Sequence, residues 1–169
     1  GDWTEDKKKF PDGLQSLAEK VKQKGIDFGI WFEPEMISKE SDLYREHPDW
    51  VIRSSLYEPT LSRHQLVLDL SNPAGCEYLV DAVSKVLAPG NISYVKWDMN
   101  RHLTDLGSAY LDRKNQNELS HRYVLGLYRV METLTERFPQ VLFESCSSGG
   151  GRFDAGMLYY MPQTWTSDN

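Results

Sequence analysis

The 169-residue sequence contains only two cysteines, Cys76 and Cys146. Two cysteines make neither a disulfide framework nor a zinc spacing. They favour a reduced compartment, and the cytoplasm is the expected location. Basic runs are missing as well, and the net charge is −6. Nucleic-acid binding rests on phosphate neutralisation by Lys and Arg, so this balance argues against a nucleic-acid partner. No apolar run approaches the ~18 residues of a membrane span, so no membrane partner is expected. There is no Gly-x-Gly-x-x-Gly after the first strand and no Gly-Lys-Ser/Thr loop, which weakens nucleotide binding. Repeats, low-complexity tracts and flexible linkers are also absent, so residues 1–169 read as one domain. The chain opens at Gly1-Asp2-Trp3 without an initiator methionine and stops at "WTSDN". A piece of a longer protein is expected, with any targeting signal outside it.

What is present is enough for a packed core: 40% apolar residues and 12% aromatic. Short apolar runs alternate with helical periods. In "DGLQSLAEKVKQKG", Leu14, Leu17, Ala18 and Val21 share a helical face, and Gly25 stops the helix. "IDFGIWFEPE" reads as a buried strand and "HQLVLDL" as an extended run. Asn72 and Pro73 then open a helix as N-cap and first residue. "NISYVKWD" is a strand, residues 115–137 form the longest helix, "QVLFESC" is a strand, and "TWTSDN" begins another. Strands separated by helices give βαβ units and a parallel sheet. The fold class is therefore α/β. Glu33, Asp98, Glu144-Ser145-Cys146 and Asp168 cluster at the carboxyl ends of the strands, the rim on which a (β/α)₈ TIM barrel puts its chemistry. A full barrel takes about 250 residues, so this chain would supply about half of one.

Paired carboxylates with Trp31, Trp97 and Trp165 nearby suit sugars. An indole covers the apolar face of a pyranose, while acids, amides and lysines bond its hydroxyls. Metal is the rival reading, since Mg²⁺ and Ca²⁺ take oxygen ligands. None of His47, His64, His102 and His121 falls at a His-x-x-x-His spacing or in a strand-end acid motif, and no metal site is expected. Nothing places a histidine within reach of Cys146 for nucleophilic chemistry. Glu33, Glu35 and Glu144, each taken alone, are more often structural than catalytic. Strand alternation would put Glu33 and Glu35 on one side, unless Pro34 breaks it, and Lys96 and Asp98 together opposite Trp97. The run Gly149-Gly150-Gly151 lets backbone approach a ligand closely or is a plain turn. Met157, Met161 and Tyr159-Tyr160 read as core.

Four stretches carry a family resemblance: "WFEPEM" (31–36), "YVKWDMNR" (94–101), "ESCSSGGGRFD" (144–154) and "YYMPQTWTSDN" (159–169). Their order and spacing resemble the α-galactosidases of glycoside hydrolase family 36, and "HPDWVI" and "LVLDLSNP" extend the match over essentially the whole chain. The resemblance implies a partial catalytic barrel, from before its third strand to the tip of its sixth. The family's flanking β domains lie outside residues 1–169, and "LVLDL" becomes an accessory strand in a long loop.

The resemblance also implies the site. Asp98 is the nucleophile and Asp168 the general acid/base. Trp31, Arg63, Lys96, Asn100, Cys146 and Gly149 contact substrate, with Asn100 placed to bond a ring hydroxyl. Lys96, with Arg101 at longer range, would favour an ionised Asp98. The implied activity is retaining removal of terminal α-galactose from melibiose- or raffinose-type oligosaccharides, with no cofactor and a homo-oligomeric parent. Two alternatives stay open: galactosyl transfer, as in raffinose and stachyose synthases, and a non-catalytic sugar-binding module. The isolated segment lacks the family's upstream aspartates and is expected to be inactive, exposing sheet edges that missing strands should cover.

Overall fold

Residues 2–169 are described in a computed structural model of the chain. The elements in order are helix α1 (Gly13–Lys22), strands β1 (Gly29–Phe32) and β2 (Met36–Ser38), helix α2 (Asp42–Glu46), strand β3 (Gln65–Val67), helix α3 (Pro73–Leu87), strand β4 (Tyr94–Asp98), helix α4 (Leu119–Arg137), strand β5 (Leu142–Cys146), helix α5 (Ala155–Tyr160) and strand β6 (Gln163–Thr164). Local chemistry sets several ends. The Asn72 side chain accepts from Ala74 N–H, and Pro73 occupies the first turn of α3, where its missing donor costs nothing. Asp154 caps α5 by accepting from Met157 N–H. Gly25 takes φ +73° just past α1, the left-handed turn that ends helices.

Strands β1, β4, β5 and β6 form one sheet in that order, all neighbours parallel. Helices α3, α4 and α5 make the crossovers between them, as the alternation of periods requires. The register rows Trp31, Lys96, Glu144 and Gln163 together. Asp98 and Cys146 are partners two residues further on. Because side chains alternate, these groups share one face. Phe32, Val95, Trp97 and Phe143 take the other and are buried in the main core with Leu79, Val83, Leu127 and Val130. That face carries the packing energy, at about 25 cal/mol per Å² of apolar area removed from water. The opposite face is polar: Trp31 is 44% exposed, while Asp98, Glu144 and Cys146 are buried. Outside the main sheet, β2 pairs antiparallel with β3, so "LVLDL" is an accessory strand.

Several expectations shift. The first strand covers only Gly29–Phe32, because Pro34 and Glu35 form a turn. Residues 113–118 form a 3₁₀ turn ahead of α4. The last strand is Gln163–Thr164, and Asp168 lies four residues past it, on a segment that runs along the glycine loop instead of continuing the ladder. Met157 and Met161 are core, but Tyr159 is 79% exposed. Leu17 is half-exposed, and only Ala18 of α1 is buried.

Candidate active site

Asp98 ends β4, where its side chain leaves the sheet at the polar rim, and it is 7% exposed. Its carboxylate is ringed by donors. Trp31 Nε1 donates to Oδ2 (3.0 Å), Asn100 Nδ2 donates to the same oxygen (2.8 Å), and Met99 N–H donates to Oδ1 (3.0 Å). Burial pushes the Asp98 pKa up. Hydrogen bonds from Asn100, Trp31, the Cys146 thiol and Met99 outweigh it and hold the carboxyl below its usual range. The expected electrostatic help from lysine and arginine takes another form. Lys96 lies over the Trp165 ring, 4.1 Å from its centroid. Arg101 bonds the Thr60 and Gln65 carbonyls and the Thr104 hydroxyl, so it braces loops. Neutral donors, placed by strand register, keep Asp98 ionised.

The two glutamates after β1 go to opposite sides. Pro34 and the turn at 34–35 break the alternation that would have kept them together. Glu33, 1% exposed, stays at the rim. Its Oε1 accepts from Arg63 Nη1 (3.0 Å), Asn100 N–H (3.2 Å) and Asn100 Nδ2 (2.7 Å). Glu35, fully buried, turns to the helix side of the sheet. It accepts from Trp97 Nε1 (2.9 Å), Tyr123 Oη (2.5 Å) and Arg152 Nη1 (2.7 Å). Burial opposes the Arg152 charge, but Glu35 beside it wins and raises the Arg152 pKa. Burial, and then Glu35, push the Tyr123 hydroxyl well up. Nothing in the local pattern marked Tyr123 or Arg152, which join this cluster from α4 and the glycine loop.

Asn100 is fully used. Both of its amide hydrogens go to carboxylates, on Glu33 and Asp98, and its Oδ1 accepts from Ser148 N–H (3.1 Å) and Oγ (3.2 Å). A sugar hydroxyl reaches this amide only by displacing one of those partners. Cys146, buried at the end of β5, points at Asp98. Burial raises its thiol pKa, a hydrogen bond from Gly149 opposes that, and the contact with Asp98 adds to the rise. A wall-forming thiol fits this setting better than a reactive thiolate.

Asp168 is exposed and accepts from Trp165 Nε1 (2.8 Å). The same indole carries the Lys96 ammonium on its face, which links the β4 row to the Asp168 segment. The glycine loop backs that segment: Gly150 N–H donates to Thr166 O (3.1 Å). Gly149 sits at φ +83°, and a Cβ there would lie 3.1 Å from Ser167 Cα. The close approach expected of these glycines is thus made to the protein's own backbone. Below this level, Gln163 donates to Glu144 (2.6 Å) and to Tyr94 Oη (2.7 Å), and Tyr94 donates to Glu144 (2.5 Å). Among the described residues, no group of three or more His, Cys, Asp and Glu is arranged to hold a metal. No described helix is long and apolar enough to cross a membrane.

The structure therefore gathers Trp31, Lys96, Asp98, Asn100 and Cys146 at one rim. Arg63 joins through Glu33, Asp168 through Trp165, and Gly149 through Ser167. Sequence reasoning passed over Ser148, which anchors Asn100. Its only signal was a place within the serine–glycine run.

The Melibiase family model matches residues 1–169. Alpha-galactosidase AgaA of Geobacillus stearothermophilus is 57% identical over 169 residues, which are 100% of this chain and 23% of that protein. Crystal structures of substituted AgaA with stachyose and with raffinose superpose on this chain with TM-score 0.97 at 56% identity, covering 100% of it and 24% of theirs. The chain thus spans about a quarter of the length of the relatives it matches. On its sequence over its whole length and on its fold, this chain belongs to the Melibiase family, the GH36 α-galactosidases, which are glycoside hydrolases.

Proposed function

We propose that this chain is the catalytic heart of a retaining exo-α-galactosidase that removes terminal galactose from raffinose- and stachyose-type oligosaccharides. The observation that carries the reading is Asp98: a buried strand-end carboxylate kept ionised by neutral donors, beside exposed indoles. A nucleophile at an anomeric carbon needs that charge state. Two further points support it. The AgaA complexes with stachyose and with raffinose each carry a replaced aspartate, and those positions differ by 70, as do Asp98 and Asp168. The parallel order β1-β4-β5-β6, with helical crossovers and one strand edge open at each end, suits the middle of a (β/α)₈ barrel closed by strands before and after it.

In this mechanism Asp98 attacks the anomeric carbon while Asp168 gives its proton to the departing glycosidic oxygen. A covalent galactosyl ester forms and the alcohol leaves. Asp168 then takes a proton from water, whose oxygen displaces Asp98. Two inversions restore the α configuration. The carboxyl groups must then work at roughly 5–5.5 Å. General acid–base help is worth ~10²–10⁴ in rate.

The test uses the full-length enzyme. Asp98→Ala abolishes turnover, and added azide restores part of it as a β-linked galactosyl azide. Asp168→Ala slows the first step far more for poor leaving groups than for good ones. Full activity in Asp98→Ala, or equal losses across leaving groups in Asp168→Ala, refutes the assignment.

A further inference from the structure

Glu33 has no place in the two-carboxylate mechanism, yet it is among the most buried charged groups of the site, at 1% exposure. Its surroundings show what it can do. One oxygen, Oε1, collects three donors: Arg63 Nη1, the Asn100 backbone N–H and Asn100 Nδ2. Asn100 Nδ2 passes its second hydrogen to Asp98 Oδ2 at 2.8 Å. A carboxamide has one donor end and one acceptor end. With its nitrogen between two carboxylates and its oxygen facing Ser148 N–H and Oγ, only one orientation satisfies every partner. Flipped, it would set an oxygen against two anions and an NH₂ against a backbone N–H.

We propose that Glu33 is a positioning residue for the nucleophile. It locks the Asn100 amide so that a donor always faces Asp98 Oδ2, while its own charge is balanced by Arg63. The role rests on Asp98 being the nucleophile. Trp31 holds the same Asp98 oxygen from the other strand, so the carboxylate is clamped from both sides and cannot swing off the line of attack. A leucine at this position has no acceptor. The three donors gathered by Oε1 lose it together, and the Asn100 amide loses the partner that fixes its orientation; a glutamine, whose carbonyl oxygen can stand where Oε1 stands, would be a weaker probe.

In the full-length enzyme, Glu33→Leu is expected to lower kcat on an aryl α-galactoside by about 10–100-fold, the scale of a misplaced reacting group. The loss falls on kcat with KM nearly unchanged. Because Glu33 acts through Asn100, the double variant Glu33→Leu/Asn100→Ala is no slower than the slower single variant. Glu33→Asp keeps a carboxylate but falls one methylene short of Asn100 and Arg63 alike, since both bond the same oxygen. It gives the same kcat loss, and it carries the test if Glu33→Leu does not fold. A folded Glu33→Leu or Glu33→Asp with unchanged kcat overturns the proposal, as do losses that multiply in the double variant. Asp98→Ala, run alongside, separates the two readings: activity retained there removes the nucleophile assignment itself, whereas a dead Asp98→Ala beside an unaffected Glu33 variant removes only the positioning role.

Discussion

Replacing Gly149 with alanine separates two jobs for that position, contact with the sugar and support of Asp168, the proposed acid/base. The left-handed backbone at φ +83° costs an L-residue about 1–2 kcal/mol. The new Cβ would also meet Ser167 Cα at 3.1 Å and Ser167 N at 3.4 Å. Carbon pairs rest at about 3.5–4.0 Å, so Ser167 has to retreat by a few tenths of an ångström. It cannot do so alone, because Gly150 N–H ties the adjacent Thr166 and Asp168 follows directly. A 1 Å misplacement of a reacting group costs ~10²-fold, so a fraction of that predicts a loss on the order of tenfold. The loss belongs to the step that needs the proton. The assay compares kcat of Gly149→Ala on raffinose and on an aryl α-galactoside with a good leaving group. The raffinose value falls about tenfold, scaled from the same relation, while the first step on the aryl substrate changes little. If kcat is untouched and KM rises alike for both substrates, Gly149 serves as a sugar contact and the support argument is refuted.

Trp31→Phe keeps an aromatic face but removes one donor to Asp98. The charged form loses stabilisation, so the Asp98 pKa rises and the acid limb of the kcat/KM profile moves to higher pH; an unmoved limb contradicts the clamp. By the same linkage, the depressed pKa of Asp98 contributes stability above its ordinary value of 3.8 that is lost as pH falls through the lower folded value, and the variant contributes less. Glu35→Gln leaves Arg152 charged and buried, with its Nε and Nη2 already without described partners. It should cost about 3–5 kcal/mol in denaturant unfolding, whereas Glu35→Leu with Arg152→Met recovers most of that; a cost under about 1 kcal/mol, that of an exposed pair, would contradict the buried brace. Arg63 and His64 both take positive φ in the turn closed by Ser62 and Gln65. His64→Gly is therefore expected to raise stability by about 1 kcal/mol, measured as a higher unfolding midpoint with kcat unchanged; a lower midpoint refutes it.

Much of this molecule was legible locally. The period-2 runs ending in Asp98 and Cys146, the Asn72-Pro73 start of α3 and the inward face of α4 follow from side-chain periodicity and capping, which act over a few residues. So did the marking of the strand end at Lys96–Arg101, since polar groups massed there are costly to bury without a purpose; the role of Asp98 within it rests on the family resemblance. Pro34 turned the chain and sent Glu35 to the helix side, and the short β6 left Asp168 on a segment shaped by the glycine loop.

The sequence alone determined the inventory: parallel α/β construction, a polar rim, and which acids sit on it. Only the tertiary structure decided which donor each acid receives. Trp31 and Asp98 are 67 residues apart, as are Glu33 and Asn100, and Glu35 and Arg152 are 117 apart. Those pairings depend on strand register and on where two loops cross, and periodicity, being a property of one segment, carries no information about its alignment with another.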